Sequence, residues 1–310
     1  LLVQRVARLR TRQGHNQRYL YYILCASAFQ SHLKNLHTET TVPHISHKDI
    51  ESFKVEMPAL SEQRRIADIL DKADAIRRKR KQAIALTDQL LRSTFLEMFG
   101  DPVTNPKGWP VRRLGDVSIL YSGNSLPPGE EYRGQQNGTL LLKVGDMNLP
   151  GNEKAIHVAR EWSPSTSGCV IAPAGSIIFP KRGGAISTNK KRYLVREVAL
   201  DPNLMAVSPS EEISTEFLLG WFDLMDLDTI SNGSTVPQLN KKDISPLKVF
   251  MPPKNTQQTY SVFCMRMAAL NRTLAQSLAE SERLFESLVD RAFRGELSRT
   301  EHVAGQLSMF

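Results

Sequence analysis

The residues with the most recognition chemistry lie in one run, Phe179 to Arg192, reading FPKRGGAISTNKKR. Arg182 and Arg192 carry planar guanidinium forks that match the O6 and N7 acceptors of guanine, and the amide of Asn189 can pair with adenine in the same bidentate way. Lys181, Lys190 and Lys191 offer charge to phosphates, contacts that set position rather than sequence. Gly183 and Gly184 allow close backbone approach, and Thr188 completes the polar set. A second loop, Tyr121 to Arg133, offers Asn124, Ser125, Tyr132 and Arg133. Taken one at a time, the same residues also suit exposed hairpins with charged tips.

Reaction chemistry is harder to find. There is no G-x-x-x-x-G-K-[ST] phosphate loop, and the run from Gly183 to Lys190 suggests one only superficially. No Asp or Glu is followed two residues later by Lys, so the usual carboxylate–x–lysine ending of a metal-dependent nuclease site is missing. Asp201-Pro202-Asn203-Leu204 lacks the second proline and the aromatic of an amino-methyltransferase tetrad. His44 and His47 are three apart but have Gln238 and Lys241 at the matching places of a second copy, which argues against a metal or catalytic role. The expectation is a chain with no catalytic residue, no metal site and no cofactor of its own.

Composition agrees with a DNA-facing role. A net charge of +8 over 310 residues points to a polyanionic partner. Apolar content of 41% is enough for true cores, and the length can hold two domains. No apolar run approaches the roughly 18 residues of a membrane span. Cys25, Cys169 and Cys264 are odd in number and unpatterned, which fits a reduced, cytoplasmic protein.

The elements that must position these residues are announced by a repeat. Thr41 to Pro58 reads TVPHISHKDIESFKVEMP, and 194 residues later Thr235 to Pro252 reads TVPQLNKKDISPLKVFMP, with ten of eighteen positions identical. A long-period repeat marks a duplicated unit. After each copy comes a stretch without Pro or Gly whose apolar positions recur on a 3-4 spacing, the pattern of a long coiled-coil helix. The first seam reads Ile66, Ile69, Ala73, Ile76, Arg80, Ala83, Thr87, Leu90 and Thr94. Its counterpart reads Tyr260, Phe263, Met267, Leu270, Leu274, Ser277, Ser281, Leu284 and Leu288. The two helices are expected to pack on each other, with the polar seam positions fixing register. The basic run Arg77 to Lys81 reads as a solvated face or as a contact for phosphate or an acidic partner.

The first helix is expected from about Ser61, as N-cap, to Phe99, and Gly100-Asp101-Pro102 stops it. At 1.5 Å per residue it spans about 55–60 Å, a spacer length. The second is expected from about Thr256 to Phe293. Between them, β-branched runs at 138–144, 168–171, 176–179 and 192–195 alternate with Gly/Pro/Asn turns, and Ser214 to Met225 reads as a helix. The fold class is α+β. Tyr19 to Ala28 matches Ile213 to Phe222 in apolar character, so the repeat extends backwards. The resulting divisions are 1–57, the C-terminal remnant of a first domain and too small for a capable core; 58–100, a long helix; 101–254, a complete domain; 255–295, a second long helix; and 296–310, a frayed tail.

With its duplicated T-V-P…K-D-I…K-V-x-M-P ending, followed by Gln63 or Gln257 and a long helix, the chain resembles the specificity subunit of Type I restriction–modification systems. The motifs carrying this are DIESFKVEMPALSEQRRIADIL at 49–70, Gly100-Asp101-Pro102 with Gly108-Trp109-Pro110, and Gly175-Ser176-Ile177-Ile178-Phe179. The resemblance implies two target recognition domains, each binding half of a bipartite double-stranded DNA site and separated by an antiparallel helix pair. It also implies modification subunits that bind S-adenosylmethionine and methylate adenine, and restriction subunits that use ATP and Mg for translocation and cleavage. The specificity subunit itself would catalyse nothing. This sequence departs from the family in holding little of the first recognition domain, so it reads as truncated at the N-terminus. The alternative is a half-subunit DNA-binding adaptor that homodimerises through its helices. The residues expected to face DNA are Lys181, Arg182, Gly183, Gly184, Thr188, Asn189, Lys190, Lys191, Arg192, Asn124 and Arg133. Those expected to form the coiled coil and dock partners are Ile66, Ile69, Ile76, Leu90, Phe263, Met267, Leu270, Leu274 and Leu284.

Overall fold

The computed structural model describes residues 6–36, 45–55, 57–134, 138–231 and 236–297. Thr41 to His44, Thr235 and the tail beyond Leu297 lie outside the described residues. Helices α1 (Gln17–Cys25), α2 (Ser27–Asn35) and α3 (His47–Glu51) precede the first long helix, α4 (Leu60–Phe99). Among the described residues eleven strands follow: β1 (Val111–Arg113), β2 (Ser118–Ser122), β3 (Glu130–Glu131), β4 (Thr139–Leu142), β5 (Ala155–Ile156), β6 (Glu161–Ser163), β7 (Ile171–Ala172), β8 (Ile177–Pro180), β9 (Arg192–Leu194), β10 (Val198–Leu200) and β11 (Leu204–Pro209). Then come α5 (Thr215–Asp223), α6 (Leu227–Ile230), α7 (Lys241–Ile244), β12 (Lys248–Phe250) and the second long helix, α8 (Lys254–Phe293). The α+β class and the two long helices are as expected. Ser61 is not the cap, because α4 already begins at Leu60 and Ser61 sits in its first turn.

The chain forms two units, residues 1–86 with 270–310 and residues 87–269, and both divisions fall inside the long helices. In the first unit, α1 lays Tyr19, Tyr22 and Ile23 against Ile66, Leu70 and Ala73 of α4 and against Phe285, Leu288, Val289 and Ala292 of α8. Helix α1 thus finds its core on the long helices. The helices are antiparallel there: Lys81 pairs with Glu282 at 2.7 Å, and Arg80 donates to Ser277 O and Ser281 Oγ. The basic run is therefore spent largely within the chain, since Arg77 and Arg78 both pair with buried Asp74 and Arg77 also stacks 4.5 Å over the Phe285 ring.

The second unit has three layers. One five-stranded sheet, ordered β2-β11-β8-β9-β5, lies between helices and a second sheet, ordered β3-β6-β4-β10-β7. Strands β8 and β11 are apolar at successive positions because both faces are covered. Ile177, Phe179, Met205 and Val207 face a core with Phe217, Trp221, Phe95, Phe99 and Tyr260, whereas Ile178, Leu204 and Ala206 face Leu140, Leu142, Val198 and Leu200. Strands β2, β10 and β11 have no counterpart in the sequence expectation. Here too the long helices are antiparallel, and Phe95 and Phe99 lie 5.5 and 5.3 Å from Tyr260.

The seam differs from the expected one by a residue at every second position. Ile66 is buried and Ile69, Phe263, Met267, Leu274 and Leu284 are half-buried, but Ile76, Leu90 and Leu270 are exposed at 38%, 46% and 43%. The inward stripe runs through buried Ile66, Leu70 and Ala73, half-buried Arg77, Arg80 and Ile84, buried Thr87 and half-buried Leu91, a 4-3 rather than a 3-4 alternation. In α8 it ends on Ser281, Phe285, Leu288 and Ala292. Adjacent stripes on one helix carry competing apolar residues, and the seam uses the less apolar one in its middle.

Candidate nucleic-acid interface

The Lys181–Arg192 loop leaves β8 and re-enters β9, and its base is clamped by the repeated motif itself. Lys181 N donates to Asn203 O at 2.8 Å, Leu239 N to Lys181 O at 2.9 Å, and Gly183 N to Pro237 O at 2.8 Å. The Val-Pro-x-Leu part of the second repeat is thus an added backbone partner for the loop, with Arg182 opposite Gln238. Gly183 has φ +68, a left-handed conformation that glycine adopts without Cβ strain. Residues Gly183–Thr188 make a 3-10 turn, which Asn189 closes at φ 51.

The far end of the loop is stapled to the segment before α6. Asn189 Nδ2 donates to Met225 O at 3.2 Å, and its Oδ1 accepts from Leu227 N at 3.0 Å. Lys191 Nζ donates to Asn189 Oδ1 at 2.7 Å and to Met225 O at 2.6 Å. Lys191 is 5% exposed, and burial pulls its pKa down to about 8 against the opposing pull of Asp223 and Asp226. Arg192 spends its guanidinium on two carbonyls, Asn152 O and Lys191 O, each at 2.7 Å, and burial lowers its pKa as well. Lys181 is buried with its ammonium on the Ser122 hydroxyl; burial first, then Arg182 and Lys241, lower its pKa.

These contacts divide the expected DNA-facing set. Arg182, Gly184 and Thr188 are exposed, and Gly183 is half-buried. The Thr188 hydroxyl donates to Ala185 O at 2.7 Å, and half-buried Lys190 bonds to Asn148. Asn189, Lys191 and Arg192 hold the loop together, so their polar atoms are already engaged by backbone and by one another. The same holds for Asn124, whose amide donates to Gly168 O at 2.7 Å and accepts from Val170 N at 2.9 Å. Gly123 before it is required, since a Cβ there would stand 2.0 Å from Asp201 O. Arg133 is exposed and pairs with Glu131. Sequence spacing placed donors and acceptors in one loop but could not tell those pointing outward from those tying the loop down.

One device recurs in both units. Gln63, 1% exposed, accepts from Asn16 N at 2.9 Å and donates to Pro58 O at 2.7 Å. Gln257, 3% exposed, accepts from Ser214 N at 2.8 Å and donates to Pro252 O at 2.9 Å. Asn16 and Ser214 are the N-caps of α1 and α5, so each buried glutamine ties a short helix to the start of a long one. This aligns α1 with α5 one turn away from the register that apolar character suggested: Asn16 matches Ser214, and Tyr19 matches Phe217 rather than Ile213.

Among the described residues, no group of three or more His, Cys, Asp or Glu side chains could hold a metal ion. Nor is any described helix long and apolar enough to cross a membrane.

The second copy of the duplicated motif clamps a glycine-rich loop, a buried glutamine follows each copy, and the two long helices pack antiparallel. The family model of the Type I restriction modification DNA specificity domain matches residues 1–86 and 106–278, and the chain belongs to that family. It is 22% identical over 268 residues to the Type I restriction enzyme MjaIX specificity subunit of Methanocaldococcus jannaschii, covering 80% of this chain and 62% of that relative. To the MjaVIII specificity subunit of the same organism it is 26% identical over 143 residues, 42% of this chain and 32% of the relative. The chain thus spans less than two thirds of the length of these relatives. A chain from a solved structure concerned with complex assembly and conformational transition of the type I R-M system has the same fold, with a TM-score of 0.58 at 21% identity over 93% of this chain and 73% of that one.

Proposed function

We propose that this specificity subunit reads double-stranded DNA through the Arg182–Thr188 loop of its second unit and brings partner subunits to the site. The observation that carries this reading is the two-ended clamp on that loop. Pro237 and Leu239 hold one end and Met225 and Leu227 the other, so Arg182 and Thr188 stand exposed on a braced turn. Preorganised donors lose little freedom on binding. Arg182 is the base-reading candidate, since its guanidinium has no hydrogen bond or ion pair among the described residues.

In this reading the chain catalyses nothing. Modification subunits bring S-adenosylmethionine and adenine methylation, and restriction subunits bring ATP, Mg, translocation and cleavage, in the cytoplasm. Partner docking is supported by apolar side chains left exposed on the long helices. These are Ile76, Leu86 and Leu270 in the first unit and Leu90, Val262 and Met265 in the second. The repeat supports a bipartite site: each copy carries the glutamine-locked helix junction, so each is read as serving one half-site.

The test is selection of bound sequences from a random duplex pool, with and without the modification subunit. One short enriched sequence means that the second unit reads alone. Two sequences at fixed spacing mean bipartite reading. No enrichment under either condition overturns the proposal.

A further inference from the structure

The repeated Lys-Asp-Ile is built alike in both units. In the first, Ser46 and Asp49 form a capping box, with Ser46 N donating to Asp49 Oδ2 at 2.7 Å. In the second, Asn240 N donates to Asp243 Oδ2 at 2.8 Å in the same arrangement. The aspartate is thus a helix cap in each copy, and Ile244 is buried in the core. The lysine has no such duty. Lys48 and Lys242 are exposed, and neither ammonium has a hydrogen bond or ion pair among the described residues. Their preceding neighbours differ, since His47 sits 3.5 Å from Glu51 whereas Lys241 stands beside the recognition loop. The other identical lysine pair, Lys54 and Lys248, occupies unlike settings: Lys248 lies opposite Arg113 across β1 and β12, and no strand is paired with Lys54 among the described residues.

Each copy thus holds the same cation at the same place in a capping box, unused by folding and free to act outside it. We infer that Lys48 and Lys242 are equivalent DNA phosphate contacts, one in each unit. This rests on the reading of the chain as a DNA-binding subunit. The second unit favours phosphate over an acidic protein surface. There the motif that holds Lys242 also clamps the recognition loop, and exposed Arg182 lies opposite Gln238, four residues before Lys242. A lysine is a mobile point charge suited to backbone phosphate, and such contacts strengthen binding on all sequences alike. In the Lys-Asp-Ile turn, then, aspartate sets the frame and lysine meets the nucleic acid.

The experiment is anisotropy titration of the full chain against labelled duplexes of selected and of scrambled sequence, across a range of salt. Each phosphate contact contributes about 0.9 to the slope of log affinity against log salt. Lys242→Ala and Lys48→Ala should each flatten the slope by about that amount, equally on both duplexes. Between about 50 and 200 mM salt each variant would then lose about threefold less affinity than the wild type. Thermal midpoints should not change. Wild-type binding with unaltered slopes in both variants overturns the inference while leaving the DNA reading intact. Unaltered slopes with weakened co-purification of the modification subunit would assign these lysines to a protein contact and also overturn it. A wild-type chain that binds neither duplex overturns the DNA reading and this inference with it.

Discussion

At the residue scale, Lys191 is an ammonium buried where it has two acceptors, Asn189 Oδ1 and Met225 O, and a neutral amine has two N–H bonds to give them. With its pKa pulled from 10.5 to about 8, the folded lysine sheds its proton at a pH where the unfolded one keeps it. Below about pH 8 both states are charged and the folded state bears the desolvation cost. From about 8 to 10.5 unfolding takes up a proton, so stability rises with pH by up to about 3 kcal/mol. Denaturant unfolding of the wild type and Lys191→Met should therefore show the wild-type stability gaining on the variant as pH is raised through this window. The recognition loop offers a second contrast. Arg182→Ala should cost about 1–3 kcal/mol of discrimination at one base pair and leave the thermal midpoint in place. Asn189→Ala should lower stability by about 1–3 kcal/mol, because it orphans Leu227 N–H and takes one of two acceptors from buried Lys191. Base selection and thermal melting of the two variants separate a reader from a clamp.

At the element scale, each unit packs its own part of the two long helices. The first unit buries Leu70, Phe285 and Leu288, the second buries Phe95, Phe99 and Tyr260, and Arg80 meets Ser277 and Ser281 in the first. Polar seam positions cost pairing strength and set register. Leu288→Ala, 4% exposed in the wild type, should lose about 2–4 kcal/mol. Leu270→Asp, at 43% exposure, should stay within about 0.5 kcal/mol yet weaken capture of the modification subunit. Equal destabilisation by the two would return the seam to the 3-4 alternation.

At the scale of the whole molecule, α4 meets α8 of its own chain, and the seam differs between the two copies. Arg80 corresponds to Leu274, and Ser281 corresponds to Thr87. An α4–α4 pairing between two chains would face Arg80 with Thr87 in place of Ser281, and an α8–α8 pairing would face Leu274 with the serines. Intrachain closure is the pairing in which Arg80 meets both Ser277 and Ser281. Light scattering should thus give the mass of one 34.8 kDa chain, and a concentration-dependent dimer would restore the homodimerising adaptor.

The duplication, the two long helices, the α+β class and the poverty of catalytic motifs were legible in the sequence, because each is a matter of local spacing. A ten-in-eighteen identity needs no coordinates, and forty residues without Pro or Gly propagate a helix whatever they meet. Tertiary structure decided the rest. Asn189, Lys191 and Asn124 have side chains equally suited to bases, phosphates or their own backbone, and only the Met225–Leu227 segment and the Gly168–Val170 turn, distant in sequence, show which of these they meet. The seam is similar: Ile76 outranks Arg77 in hydrophobicity, yet Phe285 across the pair takes the guanidinium. Strands β10 and β11 formed where no alternation announced them, since sheets covered on both faces have no polar side to display. Local periodicity is set by the chain's own geometry, whereas the partner of a polar group is set by whatever the fold brings within about 3 Å of it.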